Sequence, residues 1–161
     1  MFLTRCVFAD QGTKDIEAAK KVYFGFDNPM DNWTWNVAWF SDPVFLGEYP
    51  KEGLEKFAPY LPEITKEDME LIHQPLDFMG QNIYNGYMIR CGKDGKPEYV
   101  DRAPGAAKTG TGWPVTPEAL YYGIRFLTER YHLPLYITEN GMSDLDNISA
   151  DGQVHDSERI T

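Results

Sequence analysis

The sequence has two cysteines, three histidines and few cations for its 161 residues, and no apolar run approaches the length of a membrane span. Each shortage excludes something. A bilayer crossing needs ~20 consecutive apolar residues, so no spanning helix is expected. Cys6 and Cys91 show neither metal-type spacing nor the crowded, even pattern of a disulfide scaffold, and two free thiols in a reducing compartment are expected. His73, His132 and His155 lie too far apart for a metal-ligand motif, and no glycine-rich phosphate loop occurs. No metal or cofactor is expected. Lys and Arg number 15 against 25 Asp and Glu, a net charge of −10 without a basic cluster, which argues against nucleic acid or a membrane surface as partner. Met1 to Ala9 has Arg5 but no long apolar core or small-residue cleavage site, so no signal peptide is read there. A soluble, cytoplasmic protein is expected.

What is present is globular. Hydrophobic residues make up 42% of the chain and aromatic ones 14%, enough for a packed core and too many for disorder. Ile16, Ala19 and Tyr23 share a helical face over Asp15 to Phe24, and Gly25 ends it. Residues 32–40, with Trp33, Trp35 and Trp39, read as a second, aromatic helix, and the Pro and Gly of 41–50 as a bend. Thr65 and Asp68 have capping-box spacing ahead of Met69 and Ile72. Residues 74–84 read as a core strand with Phe78 and Met79 inside, and residues 90–112 as a long loop. Thr116 and Pro117 then suit a helix start, and Leu120, Ile124, Leu127 and Tyr131 continue as one apolar face.

The stretch Leu135-Tyr136-Ile137-Thr138-Glu139-Asn140-Gly141 organises the rest. Pro134 stops the preceding helix, three large β-prone residues come next, and Asn140-Gly141 turns the chain. Helix, strand, loop is the repeating unit of α/β folds, whose strand carboxyl ends face the ligand crevice. Glu139 is therefore expected at the mouth of a buried strand. Asn82 and Tyr84 stand two apart at the end of the other predicted strand, a spacing that turns both side chains the same way.

Tyr136-Ile137-Thr138-Glu139-Asn140-Gly141 resembles the nucleophile motif of family 1 glycoside hydrolases, the β-glucosidase family, and the likeness runs from about Asp15 to Ile160. The resemblance implies an α/β fold, part of a (β/α)₈ TIM barrel covering about strands 6 and 7 with their flanking helices, as one partial domain over residues 1–161. It implies a retaining β-glycosidase that hydrolyses terminal β-D-glucosyl residues through a covalent glycosyl-enzyme. In that scheme Glu139 is the nucleophile, Tyr84 orients it, and Asn82 and Trp113 bind substrate, Trp113 lining the aglycone subsite. A hydroxyl donor to an ionised carboxylate also favours the charged form that a nucleophile needs.

Other parts of the family pattern have no counterpart. The acid/base lies in an Asn-Glu-Pro motif, which these 161 residues lack. A whole barrel also needs roughly 250 residues, so a piece of one is expected, with little turnover alone and a tendency to associate with itself or a complementary segment. An inert half-barrel that binds sugar or assembles, and a 6-phospho-β-glycosidase, remain open beside the β-glucosidase reading.

Overall fold

The computed structural model describes residues 2–3, 6–10, 12–26 and 36–160. The expectations for the loop at 27–29 and for Trp33 and Trp35 lie outside them. Two short strands, β1 (Phe2–Leu3) and β2 (Cys6–Ala9), precede helix α1 (Gly12–Phe24). Helices α2 (Val37–Phe45), α3 (Lys51–Phe57) and α4 (Lys66–Ile72) come after it. The chain then builds β3 (Met79–Asn82), β4 (Gly86–Cys91), β5 (Pro97–Tyr99), α5 (Glu118–Tyr131), β6 (Leu135–Glu139) and the single turn α6 (Ser157–Ile160).

The strands form two open three-stranded sheets. In one, β3 lies between β1 and β6, all parallel; in the other, β4 pairs parallel with β2 and antiparallel with β5. Because β3 and β6 run side by side in one direction, their carboxyl ends share a rim, which brings Asn82 beside Glu139 in register. Helix α5 is the crossover feeding β6, and it packs with α1 over a core that includes Phe8, Tyr23, Ile89, Phe126 and Leu127. The arrangement is a partial α/β unit, with no closed barrel among the described residues.

Local chemistry explains most element ends. Asn36 caps α2 by accepting from the Trp39 amide at 2.8 Å, so the aromatic helix starts at Val37 and runs through Pro43 to Phe45, later than the sequence pattern suggested. Thr65 and Asp68 form the expected reciprocal capping box. Thr116 does not cap α5: its hydroxyl accepts from the Gly86 amide at 2.9 Å and ties the helix entrance to β4. Residues 86–99 form a hairpin that takes up the first part of the loop expected over 90–112, with Arg90 and Glu98 facing each other across the antiparallel pair. A second aromatic cluster seats α3 on α2. A Cβ on Gly53 would fall 2.7 Å from Trp39 Cε3 and 2.8 Å from Phe26 Cζ, so only glycine lets the helix lie that close.

Two expectations about burial fail. Met79 is 1% exposed, but Phe78 is 53% exposed, and on β6 Tyr136 is 60% exposed, so the strand carrying Glu139 is not buried. Among the described residues β6 is an edge of its sheet and nothing covers Phe78 and Tyr136, whose rings pack edge to face at 5.1 Å. On β3, Gln81 is wholly buried, and neither atom of its amide finds a hydrogen-bond partner among the described residues.

One buried charge is fully engaged. Asp42, 3% exposed, accepts a two-pronged contact from Arg130 and a 2.8 Å hydrogen bond from the Tyr131 hydroxyl, joining α2 to the end of α5. Burial, with Asp42 next in importance, pushes the Tyr131 phenol well up, and the hydrogen bond to Asp42 raises Arg130. The guanidinium also lies 4.7 Å from the centroid of Phe24. Asp42, read from sequence as part of a bend, is a clasp between helices, and Pro43 lies inside α2.

Candidate active site

The structure brings together all four residues singled out in the sequence. Glu139 ends β6, and its Oε2 accepts a short hydrogen bond from the Tyr84 hydroxyl. Tyr84 lies two residues past the end of β3, so the phenol reaches back across the rim to the carboxylate. That hydrogen bond is the largest cause of a Tyr84 phenol held above its ordinary value, with desolvation next and the Glu139 charge last. Trp113 packs edge to face on the other side of the contact, its ring centroid 5.6 Å from that of Tyr84, and it remains 47% exposed. Carboxylate, phenol and indole thus form a row from the strand end to the surface.

A bulge sets the position of the carboxylate. Gln81 pairs with Ile137, but Asn82 pairs with Glu139, so Thr138 is an extra residue on β6. Inserting one residue into a strand re-aims the side chains beyond it, and such bulges recur beside active sites. Thr138 makes use of the displacement. Its hydroxyl donates to Asn82 Oδ1 at 2.7 Å, while the Asn82 Nδ2, in a side chain 1% exposed, is left without a partner among the described residues. Asn140 closes the turn by donating its Nδ2 to Ile83 O at 2.7 Å, and the Ile83 amide donates to Glu139 O at 3.0 Å. Sequence reasoning assigned Asn140 to a turn and gave Thr138 no role. The bulge had no sequence signal, since Thr fits a regular strand equally well.

The arrangement offers a half-buried carboxylate with one oxygen held by a phenol, an aromatic platform at the surface and a buried amide donor nearby. Among the described residues no second carboxylate joins Glu139 and Tyr84 in a hydrogen bond or ion pair. A cleft of about 990 Å³ lies elsewhere, lined by Lys21, Phe24, Tyr49, Lys96, Tyr99 and Arg130, and contains none of the four residues. Asp144, Asp146 and Asp156 place carboxylate oxygens within 4.8 Å of one another, but Arg159 already pairs with Asp146 and Asp156.

Comparison with known proteins gives one family throughout. The family model described as glycosyl hydrolase family 1 matches residues 25–161. A β-glucosidase A of Thermotoga maritima is 40% identical over 128 residues, covering 78% of this chain and 28% of its own length. An Agrobacterium β-glucosidase is 37% identical over 159 residues, covering 94% of this chain and 32% of its own. In structure, the chain resembles the Thermotoga maritima β-glucosidase in complex with glucoimidazole, with a TM-score of 0.71 and 34% identity over 99% of this chain and 34% of that one. The chain spans about a third of the length of the curated relatives it matches.

Proposed function

Since the chain belongs to glycosyl hydrolase family 1, we propose that it carries the nucleophile half of a retaining β-glucosidase active site and is one partial barrel domain over residues 1–161. The observation that supports this most is the hydrogen bond from Tyr84 to Glu139 at the shared rim of β3 and β6. A retaining enzyme needs one carboxylate to attack and one acid to release the leaving group, about 5 to 5.5 Å apart. With Tyr84 on Oε2, the other oxygen of Glu139 is left to bond the anomeric carbon of a terminal β-glucosyl group. The glycosidic C–O bond breaks, its electrons go to the leaving oxygen, and that oxygen takes a proton from an acid. Water, deprotonated by the same group, then attacks the anomeric carbon, and the bond from that carbon to Glu139 breaks and frees the carboxylate.

In this reading Tyr84 fixes the carboxylate in its attacking rotamer, Asn82 offers its buried amide to the sugar, and Trp113 packs on the aglycone. The acid/base is not in this chain, whose sequence has no Asn-Glu-Pro. Without proton assistance a factor of about 10² to 10⁴ in rate is lost, so the chain by itself turns over little or nothing. The uncovered edge of β6, with Phe78 and Tyr136 exposed, favours association with itself or with the complementary part of a barrel. The unpaired Cys91 thiol suits a reducing cytoplasm.

The test is complementation. The chain is mixed with the remaining barrel segments of the Thermotoga maritima relative, and release of 4-nitrophenol from its β-glucoside is measured. Turnover that needs both parts and disappears with Glu139→Gln supports the reading; a complex that forms without turnover overturns it.

A further inference from the structure

The row Glu139, Tyr84, Trp113 is held at both ends. At one end Glu139 is fixed by the bulge; at the other, Trp113 sits in a tight turn. The Thr109 amide donates to Trp113 O at 2.8 Å, the Trp113 amide donates to Thr109 Oγ1 at 3.1 Å, and the Gly112 amide donates to Thr109 O at 2.8 Å. Such a turn by itself is free to tilt as a body, yet this one is fastened to the segment that leaves the nucleophile. The Gly110 amide donates to Ser143 O at 2.8 Å, the Thr111 amide donates to Ser143 Oγ at 3.0 Å, and the two hydroxyls of Thr111 and Ser143 are 2.9 Å apart. A Cβ on Gly110 would lie 2.8 Å from the carbonyl carbon of Asp144, so the contact requires glycine at that place.

Ser143 is four residues beyond Glu139. The same short stretch therefore carries the carboxylate at one end and grips the Trp113 turn at the other, while Tyr84, two residues past β3, touches both the carboxylate and the indole. We propose that Ser143 is a positioning residue: with Thr111 it locks the Trp113 platform to the Glu139 strand, so that the aromatic surface and the carboxylate keep one relative placement. The consequence is chemical. A leaving group packed on Trp113 is held at a fixed distance from the attacking oxygen, and the edge-to-face contact of Trp113 keeps the Tyr84 ring, hence its hydroxyl, aimed at Oε2. The clasp hydrogen bonds are solvent-exposed and individually modest, so loss of one loosens the turn without unfolding the chain.

The meaning of this coupling rests on the glycosidase reading, but its test does not. The full chain is labelled with 5-fluorotryptophan, and the Trp113 ¹⁹F line is assigned by its loss in Trp113→Phe. In the intact chain, Glu139→Gln is expected to shift that line through Tyr84. In Ser143→Ala the Trp113 line should move and broaden and lose its response to Glu139→Gln, whereas the Trp39 line, in the separate aromatic cluster, stays put and reports an intact fold. Thr111→Val should reproduce the effect and Thr111→Ser should restore the original line. If Ser143→Ala disturbs the Trp39 line, the Thr111 pair decides alone. A Trp113 line that keeps its position and its response to Glu139→Gln in Ser143→Ala, or in Thr111→Val, overturns the proposal. Loss of the glycosidase reading by failed complementation would leave this result standing, and the reverse also holds.

Discussion

The Tyr84 hydroxyl and the Glu139 carboxylate, 55 positions apart in sequence, share one hydrogen bond at the rim where β3 and β6 both end. Ionising Tyr84 would break that donation and set two negative charges side by side. The phenol is therefore held above its ordinary value of about 10. Because the folded-state value is the higher one, the interaction stabilises the fold below the unfolded value and is lost as pH rises through the folded one. Titration of ¹³Cζ-labelled tyrosines should show late resonances that include those of Tyr84 and buried Tyr131. Glu139→Gln should bring back only the one absent in Tyr84→Phe. A Tyr84 that titrates with the exposed tyrosines would count against the contact.

Asp42 is buried and Arg130 about one-third exposed, at 4% and 32% of their side-chain areas. Removing the carboxylate strands a half-buried guanidinium and the Tyr131 hydroxyl together. Asp42→Ala is expected to cost about 3 kcal/mol, near the lower end for a broken buried pair because water still reaches Arg130. Urea unfolding monitored by circular dichroism measures it. A change below about 1 kcal/mol would assign the pair to the weak class of surface bridges.

The buried Gln81 amide has no hydrogen-bond partner among the described residues. An unpaired buried polar group costs about 1 to 3 kcal/mol, and Leu has a similar volume. Gln81→Leu should raise the urea midpoint, with a gain of about 1 kcal/mol or more. A lower midpoint would mean that the amide is satisfied by a buried water, which its removal would orphan.

Thr138→Val keeps the shape of the bulge and deletes its hydroxyl, leaving Asn82 Oδ1 buried and unpaired. The expected loss is about 1 to 2 kcal/mol, with Thr138→Ser close to the unaltered chain. Equal stability of the Val and Ser variants would show that the hydroxyl does not hold the amide.

Sequence reached the site because its signals are local. A β-prone run ended by Asn140-Gly141 marks the strand end that carries Glu139, and the motif around it carries the family. Helix α1 and the capping box of α4 were legible for the same reason, since an amphipathic stripe and an Asp three residues after a Thr act within a turn or two. The features that escaped depend on distant partners. The exposure of Phe78 and Tyr136 results from β6 being a sheet edge, and the pairing of Thr116 with Gly86 diverts a residue whose local chemistry suits a cap. The bulge at Thr138 exists only relative to β3, and the grip of Ser143 on Thr111 spans 32 positions. Neither leaves a mark in its own segment.

The proposed role of Glu139 as nucleophile is most directly tested by trapping. The purified chain, alone and with complementary barrel segments, is incubated with a 2-deoxy-2-fluoro-β-glucoside bearing a dinitrophenyl leaving group, which departs without help from an acid. Intact mass and peptide mapping then locate any adduct. The expected result is a fluoroglucosyl ester on Glu139 in the complemented sample, formed more slowly in Tyr84→Phe and absent in Glu139→Gln. An adduct on another residue, or none in a complemented sample that has folded, would contradict it.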